Sequence, residues 1–300
     1  MDDSTLSIMM DTVCHICSSH DLQKYMEKSG YTLTKCMKCS HIQVSPIPED
    51  KVLVALYKNL TDDSFYGNGC SIASLEKYSL DKKFLIKFFA ERIDIIRKLG
   101  LGKSVPILDF GCTNGVFVKS LQNAGYVKGF GYDIAEDLVA EGRKMGLDLF
   151  TGDLGNLAKE REGFFEMVIS YNVFEHLASP QSVLSQIQKL VKKGGYLVIS
   201  VPYINSLQVK IIGKKSAIID PPFHIHYFTP RSITKLLNDH GFNVLKTSTP
   251  FWSRLTDVYL GLKGYNERFA MILRIMATPL RGVMNVFRLG GNLLVIARKN

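Results

Sequence analysis

Between residues 105 and 201 short apolar runs alternate with longer segments whose apolar positions return every three or four residues. Segments 105–110, 128–132, 165–171 and 196–201 read as buried strands, and 116–124, 135–145 and 183–191 as helices, with Gly194-Gly195 as the turn before the fourth strand. Strands separated by helices in this way build a parallel sheet. Two more strands, 244–248 and 293–297, follow a helix over 232–240 that Gly241 stops. Upstream, Leu80, Phe84 and Phe88 together with Leu85, Phe89, Ile93 and Ile96 mark one wide apolar face on a helix over 77–99, which Gly100 and Gly102 end. The pattern is that of an α/β fold, without internal repeats or low-complexity tracts.

The first 45 residues follow a different logic. Cys14 and Cys17 form one C-x2-C knuckle and Cys36 and Cys39 another, with residues 18–35 between them. Each knuckle turns the backbone so that two thiolates converge, and two of them complete a tetrahedral four-sulfur shell that leaves zinc no open position. A closed shell supports structure rather than catalysis. Disulfides are the competing reading, disfavoured in a chain expected to stay reduced. His15, His20 and His41 lie close by, but four thiols already satisfy the ion. Cys70 and Cys112 are left over and read as small apolar residues. Ser45-Pro46-Ile47-Pro48 continues neither a helix nor a central strand. It divides a zinc-ribbon-like module at 1–45 from a helical connector at 46–104 and a larger domain at 105–300.

Three hundred residues, 46% of them hydrophobic, suffice for one full core beside a small metal module. The first residues, MDDSTLSIMMD, lack the basic start and long apolar run of an export signal, and no uncharged apolar stretch reaches the ~18 residues of a spanning helix. The expected compartment is therefore cytoplasmic. The formal charge of +9 falls to about +7 once four thiolates hold a zinc ion. Residues 251–300 hold eight Lys or Arg against Asp257 and Glu267, so this tail supplies +6 of the excess. A nucleic-acid binder spreads its basic face over the body, so nucleic acid is not an expected partner. Within 251–289, Trp252, Leu255, Tyr259 and Phe269 interleave with Arg254, Arg268, Arg274, Arg281 and Arg288, and Pro279 divides the stretch into two helices. Two readings stay open for this insertion before the last strand. One is a lid or dimer contact packed on the sheet; the other is an interfacial helix pair whose arginines meet anionic lipid heads at the inner face of the membrane.

Segment 107–117, ILDFGCTNGVF, puts an acid at the carboxyl end of a strand and Gly111 and Gly115 at the start of a helix, the edge at which such sheets bind ligands. The glycines let a ligand approach the backbone, and Asp109 suits a cationic group near the helix start. The fingerprint G-x-G-x-x-G is absent, which argues against a nicotinamide enzyme. Over roughly residues 60–250 the pattern resembles the class I S-adenosylmethionine-dependent methyltransferases. Their first motif resembles Asp109-Phe110-Gly111-Cys112-Thr113-Asn114-Gly115, with Thr113 in place of the middle glycine. The acid ending their second strand resembles Asp133, and their adenine-side acid resembles Asp153 in Gly152-Asp153-Leu154. Segment 168–180, VISYNVFEHLASP, resembles their fourth motif in its Glu-His-Leu-x-x-Pro form, and 190–202, LVKKGGYLVISVP, the turn and strand that follow.

The resemblance implies a Rossmann-like seven-stranded methyltransferase sheet that binds S-adenosylmethionine. It implies that Asp133 accepts from the ribose hydroxyls and Asp153 from the adenine amino group, with Asp109 beside the methionine moiety. Gly111, Cys112, Asn114, Gly115, Ile134, Leu154 and Asn172 complete the implied cofactor lining. Tyr66 and Tyr78 fall where relatives fold an N-terminal segment over the cofactor, and Tyr78 is the candidate of the two. For each aspartate a turn or helix cap is the plain alternative.

An alcohol attacking a sulfonium methyl in line needs a base for its proton, and histidine serves near neutral pH. His176, His224 and His226 fall in segments expected at the carboxyl edge of the sheet. Segment 221–229, PPFHIHYFT, resembles the His-rich Tyr-Phe-Ser/Thr segment of sugar methyltransferases that also carry an N-terminal four-cysteine zinc module. In those relatives a histidine acts as base, which maps most nearly to His226, with His224 second; a structural hydrogen bond beneath the site is the alternative for each. Their Glu-His dipeptide before Tyr-Phe is not reproduced, and the further C-terminal domain of the sugar C-methyltransferases has no counterpart in these residues. The expectation is therefore O-methylation of a small-molecule or lipid-linked sugar in surface-glycan biosynthesis. Sugar C-methylation and a non-catalytic zinc-containing adaptor with a degenerate fold are the alternatives.

Overall fold

The computed structural model describes residues 13–48, 82–250 and 287–300. Tyr66, Cys70 and Tyr78, and the basic segment up to residue 286, lie outside the described residues.

In the N-terminal module, β1 (Leu22–Lys28), β2 (Tyr31–Cys36) and β3 (Ile42–Ser45) form an antiparallel meander. Ser29 and Gly30, at φ 53° and 78°, supply the left-handed pair that a two-residue hairpin turn requires. The module is not closed on itself. β3 takes a further partner from far along the chain, β9 (His226–Tyr227), giving the sheet order β1-β2-β3-β9.

The larger domain opens with α1 (Lys82–Phe88) and α2 (Ala90–Lys98). They are the expected single helix interrupted only at Phe89, where the bonds from Phe89 N–H to the Leu85 carbonyl and from Ile93 N–H to the Phe89 carbonyl carry the ladder across. Gly100, at φ 71°, takes the left-handed position past the last turn. The remaining elements are β4 (Ile107–Phe110), α3 (Val116–Asn123), β5 (Gly129–Tyr132), α4 (Glu136–Lys144), β6 (Asp148–Phe150), α5 (Leu154–Glu160), β7 (Phe165–Tyr171), α6 (Pro180–Leu190), β8 (Val191–Pro202), α7 (Leu207–Ile212), α8 (Pro230–Asp239), β10 (Phe242–Ser248) and β11 (Asn292–Lys299). The seven-stranded sheet has the order β10-β11-β8-β7-β4-β5-β6, with β11 antiparallel to both its neighbours and the other pairings parallel.

Both faces of this sheet are covered, as a parallel sheet requires. Along β4, Leu108 and Phe110 join the cluster on one face with Val168, Leu184, Ile187 and Phe228, while Ile107 joins Leu85, Ile93, Ile96 and Phe117 on the other. Cys14, Ile16, Cys36 and Cys39 belong to the first cluster, so the cysteine module shares the domain's core. Each fully buried Leu, Ile or Phe contributes about 1.5–3 kcal/mol of driving force. Two sequence expectations are corrected. Gly194 and Gly195 do not form a turn: β8 runs through them, and the register jump between Phe165↔Val191 and Met167↔Tyr196 absorbs the extra residues as a bulge. The unanticipated β6 and α5 fill the interval between residues 145 and 165, too short to show a period.

Candidate functional site

β4 delivers Asp109 to the carboxyl edge of the sheet, 3% exposed. Burial pushes its carboxyl up to about 7, opposed by the Arg92 guanidinium, whose Nη1 lies 4.0 Å from Oδ1, and reinforced by Asp133. Arg92 reaches this position from α2 by lying over the rings of Tyr171, Phe89 and Phe117, at 4.1, 5.0 and 5.0 Å from their centres. Sequence reasoning missed Arg92. Its signal was a charge three residues after Phe89 and four before Ile96, on the buried face of the helix.

The loop after β4 is tied to β5: the N–H groups of Gly111 and Cys112 both donate to the Tyr132 carbonyl, at 2.8 and 3.1 Å. Gly111 sits at φ 84°, and a Cβ there would overlap the Val173 side chain, so the loops after β4 and β7 are in contact. Thr113, at φ 52°, turns its hydroxyl back to the Cys112 carbonyl at 2.7 Å and donates its N–H to Asp133 Oδ2 at 2.8 Å. Asp133 Oδ1 accepts from Ala135 N–H at 2.9 Å. The carboxylate is thereby pinned between the glycine loop and α4, and each oxygen retains a second lone pair for a diol. Beside it Ile134 is 67% exposed, an apolar surface for a flat ring. Gly115, at φ 82°, is the N-cap of α3, next to the buried Asn114. Asn172, at φ 55°, carries a buried Oδ1 without a hydrogen-bond partner among the described residues. These features fit S-adenosylmethionine: a fixed diol acceptor, an exposed apolar face, an orphaned acceptor and a buried acid beside a close-packed glycine loop.

Three implied contacts change character. Cys112 packs in a cluster with Val118, Val139, Leu147 and Leu149, and burial pushes its thiol well up, so its side chain is core rather than lining. Asp153 is the N-cap of α5, accepting from Asn156 N–H at 2.8 Å through Oδ1. Leu154 is partly buried against the main core. Tyr78 lies outside the described residues.

The histidines separate into two groups. A 3-10 turn over Phe174–His176 follows β7, and Ile225 N–H donates to the Glu175 carbonyl at 2.9 Å, which lays residues 224–226 beside that turn. His176 and His224 then face each other with ring centres 4.9 Å apart. His176 Nδ1 donates to the Phe223 carbonyl at 2.7 Å and His224 Nδ1 to the Ile218 carbonyl at 2.9 Å. Burial pushes His176 down to about 3 and lowers His224 as well, so both are neutral imidazoles with the lone pair on Nε2. Glu175, 1% exposed, completes the group; it had been read only as part of a motif.

His226 is elsewhere. As part of β9 it pairs with Gln43 of β3, and its Nδ1 lies 2.9 Å from His41 Nε2, with His15 at 6.1 Å between ring centres. The preferred base of the sequence reading thus lies in a strand pairing rather than beside His176. Strand pairing commits it to the seam with the cysteine module, 1% exposed, while His224 takes the place beside His176.

In that module Cys14 Sγ lies 3.6 Å from Cys39 Sγ and Cys17 Sγ 3.5 Å from Cys36 Sγ, all four within 4.8 Å of one another. Sulfurs held tetrahedrally at a zinc–sulfur distance of about 2.3 Å stand about 3.8 Å apart. Ile16 N–H and Cys39 N–H point at Cys14 Sγ and Cys36 Sγ at 3.4 and 3.5 Å. The hydrogen bond from Cys39, working against burial, pulls the Cys14 thiol down to about 5. The donor set fits zinc. Gln181 Nε2, from α6, donates to the His15 and Ile16 carbonyls at 2.9 and 3.2 Å and clamps the first knuckle to the domain.

Comparison with known proteins bears on the same region. A family model described as "Methyltransferase domain" matches residues 83–247. The C-methyltransferase NovU of Streptomyces niveus is 24% identical over 204 residues, 66% of this chain and 46% of its own length. The ubiquinone biosynthesis O-methyltransferase of Vibrio atlanticus is 26% identical over 165 residues, covering 51% of this chain and 69% of that protein. The chain thus spans less than half of NovU. Among solved structures, magnesium protoporphyrin IX methyltransferase from Synechocystis PCC 6803 with bound SAH superposes with a TM-score of 0.52 at 18% identity, over 84% of this chain and 100% of that one. At that identity the likeness speaks for the fold. With more than half its length matched and the sheet order, glycine loop and strand-end acids in place, the chain belongs to the methyltransferase-domain family and has the class I S-adenosylmethionine-dependent methyltransferase fold.

Proposed function

We propose that this protein transfers a methyl group from S-adenosylmethionine to a hydroxyl of a small polyhydroxylated acceptor, a free or lipid-linked sugar, with a structural zinc ion in the four-cysteine module. The observation that carries this reading is the facing pair His176 and His224, each with its Nδ1 proton committed to a backbone carbonyl, beside the loop that touches Gly111. Bound S-adenosylmethionine supplies an electrophilic methyl on a sulfonium. Asp133 fixes the ribose, and Arg92 with Asp109 offers charge of both signs to the amino-acid end. An Nε2 of the pair takes the hydroxyl proton as the oxygen forms its bond to the methyl carbon, and the carbon–sulfur bond breaks with its electrons left on sulfur. A lipid-linked acceptor would suit the basic segment 251–289. Among the described residues no helix is long and apolar enough to cross a membrane.

C-methylation is the second reading, favoured by the likeness to NovU. The test begins with calorimetric titration of S-adenosylmethionine beside Asp133→Ala. Micromolar-range binding lost in that variant supports the cofactor site; no binding by the intact protein favours the adaptor. Labelled-methyl transfer to nucleotide-linked and lipid-linked sugars, with the product's methyl located by NMR on oxygen or carbon, then separates the two chemistries.

A further inference from the structure

Glu175 presents an unusual combination. Its carboxylate is 1% exposed, neither oxygen has a hydrogen-bond partner among the described residues, and Oε1 lies 3.6 Å from His176 Nε2, beyond hydrogen-bonding range. A buried carboxylate left in this way is costly unless a proton or a cation neutralises it. One ligand atom from each of Glu175, His176 and His224 lies within 4.8 Å of the other two. Neighbouring ligand atoms around one ion at about 2.1 Å stand about 3.0–3.5 Å apart, so side-chain shifts of about an ångström close the set. The outer partners are those a metal site needs: the Phe223 and Ile218 carbonyls accept from the two Nδ1–H groups and fix both rings in the Nε2 tautomer.

We propose that Glu175, His176 and His224 form a second metal site, separate from the four cysteines, for a divalent first-row transition metal. Two imidazoles and one carboxylate are a poor set for magnesium or calcium, which prefer oxygen, and a good one for zinc, cobalt, iron or manganese. Three protein ligands leave positions open to other donors. The inference deepens the acceptor side of the proposed methyl transfer and rests on that reading for its consequence: the site selects acceptors with two adjacent oxygens, such as a vicinal diol. An ion held by both imidazoles would replace the free Nε2 as the group that activates the acceptor: coordination would acidify the hydroxyl, whose proton would pass to solvent as the oxygen bonds to the methyl carbon and the carbon–sulfur bond breaks with its electrons left on sulfur.

The test uses the full chain loaded with zinc and titrated with cobalt(II). The expected result is one further equivalent bound, giving weak visible d–d bands without a thiolate charge-transfer band, while zinc stays at one per chain. Glu175→Gln and His224→Ala are each expected to weaken cobalt binding at least about tenfold with zinc content unchanged. No second equivalent up to about 1 mM cobalt, a thiolate band that reports replacement of zinc, or unchanged affinity in both variants overturns the proposal. S-adenosylmethionine titrated into the same samples keeps the two readings distinct. Cobalt binding without cofactor binding defeats the methyl-transfer reading and leaves the metal site standing.

Discussion

Replacing Cys36 with serine removes one thiolate from the four-sulfur shell, and the consequence is expected to reach His224. Zinc in a module of this kind is worth about 10–16 kcal/mol, comparable to the whole net stability of a domain, about 5–15 kcal/mol. Without it β1 to β3 lose their order, and β9 loses its partner. The pairings Ile42↔Tyr227 and Gln43↔His226, the bond from Val44 N–H to the Ile225 carbonyl at 2.9 Å and the His41–His226 contact at 2.9 Å all go. These hydrogen bonds at about 0.5–1.5 kcal/mol each, with uncovering of Ile42 and Val44, remove about 4 kcal/mol from the segment that carries His224. That is roughly a thousandfold loss of amide protection. The cofactor loop holds to β5 and α4 through Tyr132 and Asp133, so S-adenosylmethionine affinity is expected to change less than about threefold. Hydrogen exchange read by mass spectrometry on parent and Cys36→Ser, with calorimetric titration of the cofactor, tests both halves. Undiminished protection across 222–228, or an equal loss across 107–135, would refute the coupling.

Thr113→Gly is expected to stabilise the protein by about 1 kcal/mol in urea unfolding, because a β-branched residue at φ 52° holds its Cβ in a disfavoured region; a loss of stability would mean that the hydroxyl bond to Cys112 outweighs the strain. Asp109→Asn tests the buried acid by pH. Burial holds the folded carboxyl near 7, above its ordinary range, so the folded chain binds that proton more tightly than the unfolded one, and stability drains away as pH climbs through about 7. The variant is therefore expected to exceed the parent in urea midpoint at pH 9 and to match it near pH 4, whereas a pH-independent difference would contradict the assignment.

Much of the fold was legible because its elements are long enough to show a period. The strand ends at Phe110, Tyr132 and Tyr171 and the helix stops at Gly100 and Gly241 fall where composition placed them, and strand-end acids at Asp109 and Asp133 follow from strand position alone. β6, with three residues, had no period to read, and Gly194-Gly195 misled because a bulge and a turn ask for the same residue type. The site was legible only in part. Its residue types were visible, whereas their partners depended on contacts between distant segments.

By itself the sequence determined a zinc-type cysteine module, a parallel α/β sheet and a glycine loop ending in an acid, because each is a local pattern of spacing and periodicity. Only the tertiary structure decided that Arg92 meets Asp109, that Glu175 and His224 join His176, and that His226 belongs to the module's sheet. The two-residue pairing of β9 with β3 and the bond from Ile225 to Glu175 join segments separated by 50 to 185 positions in the chain, and such long-range hydrogen bonds leave no trace in the local order of residues.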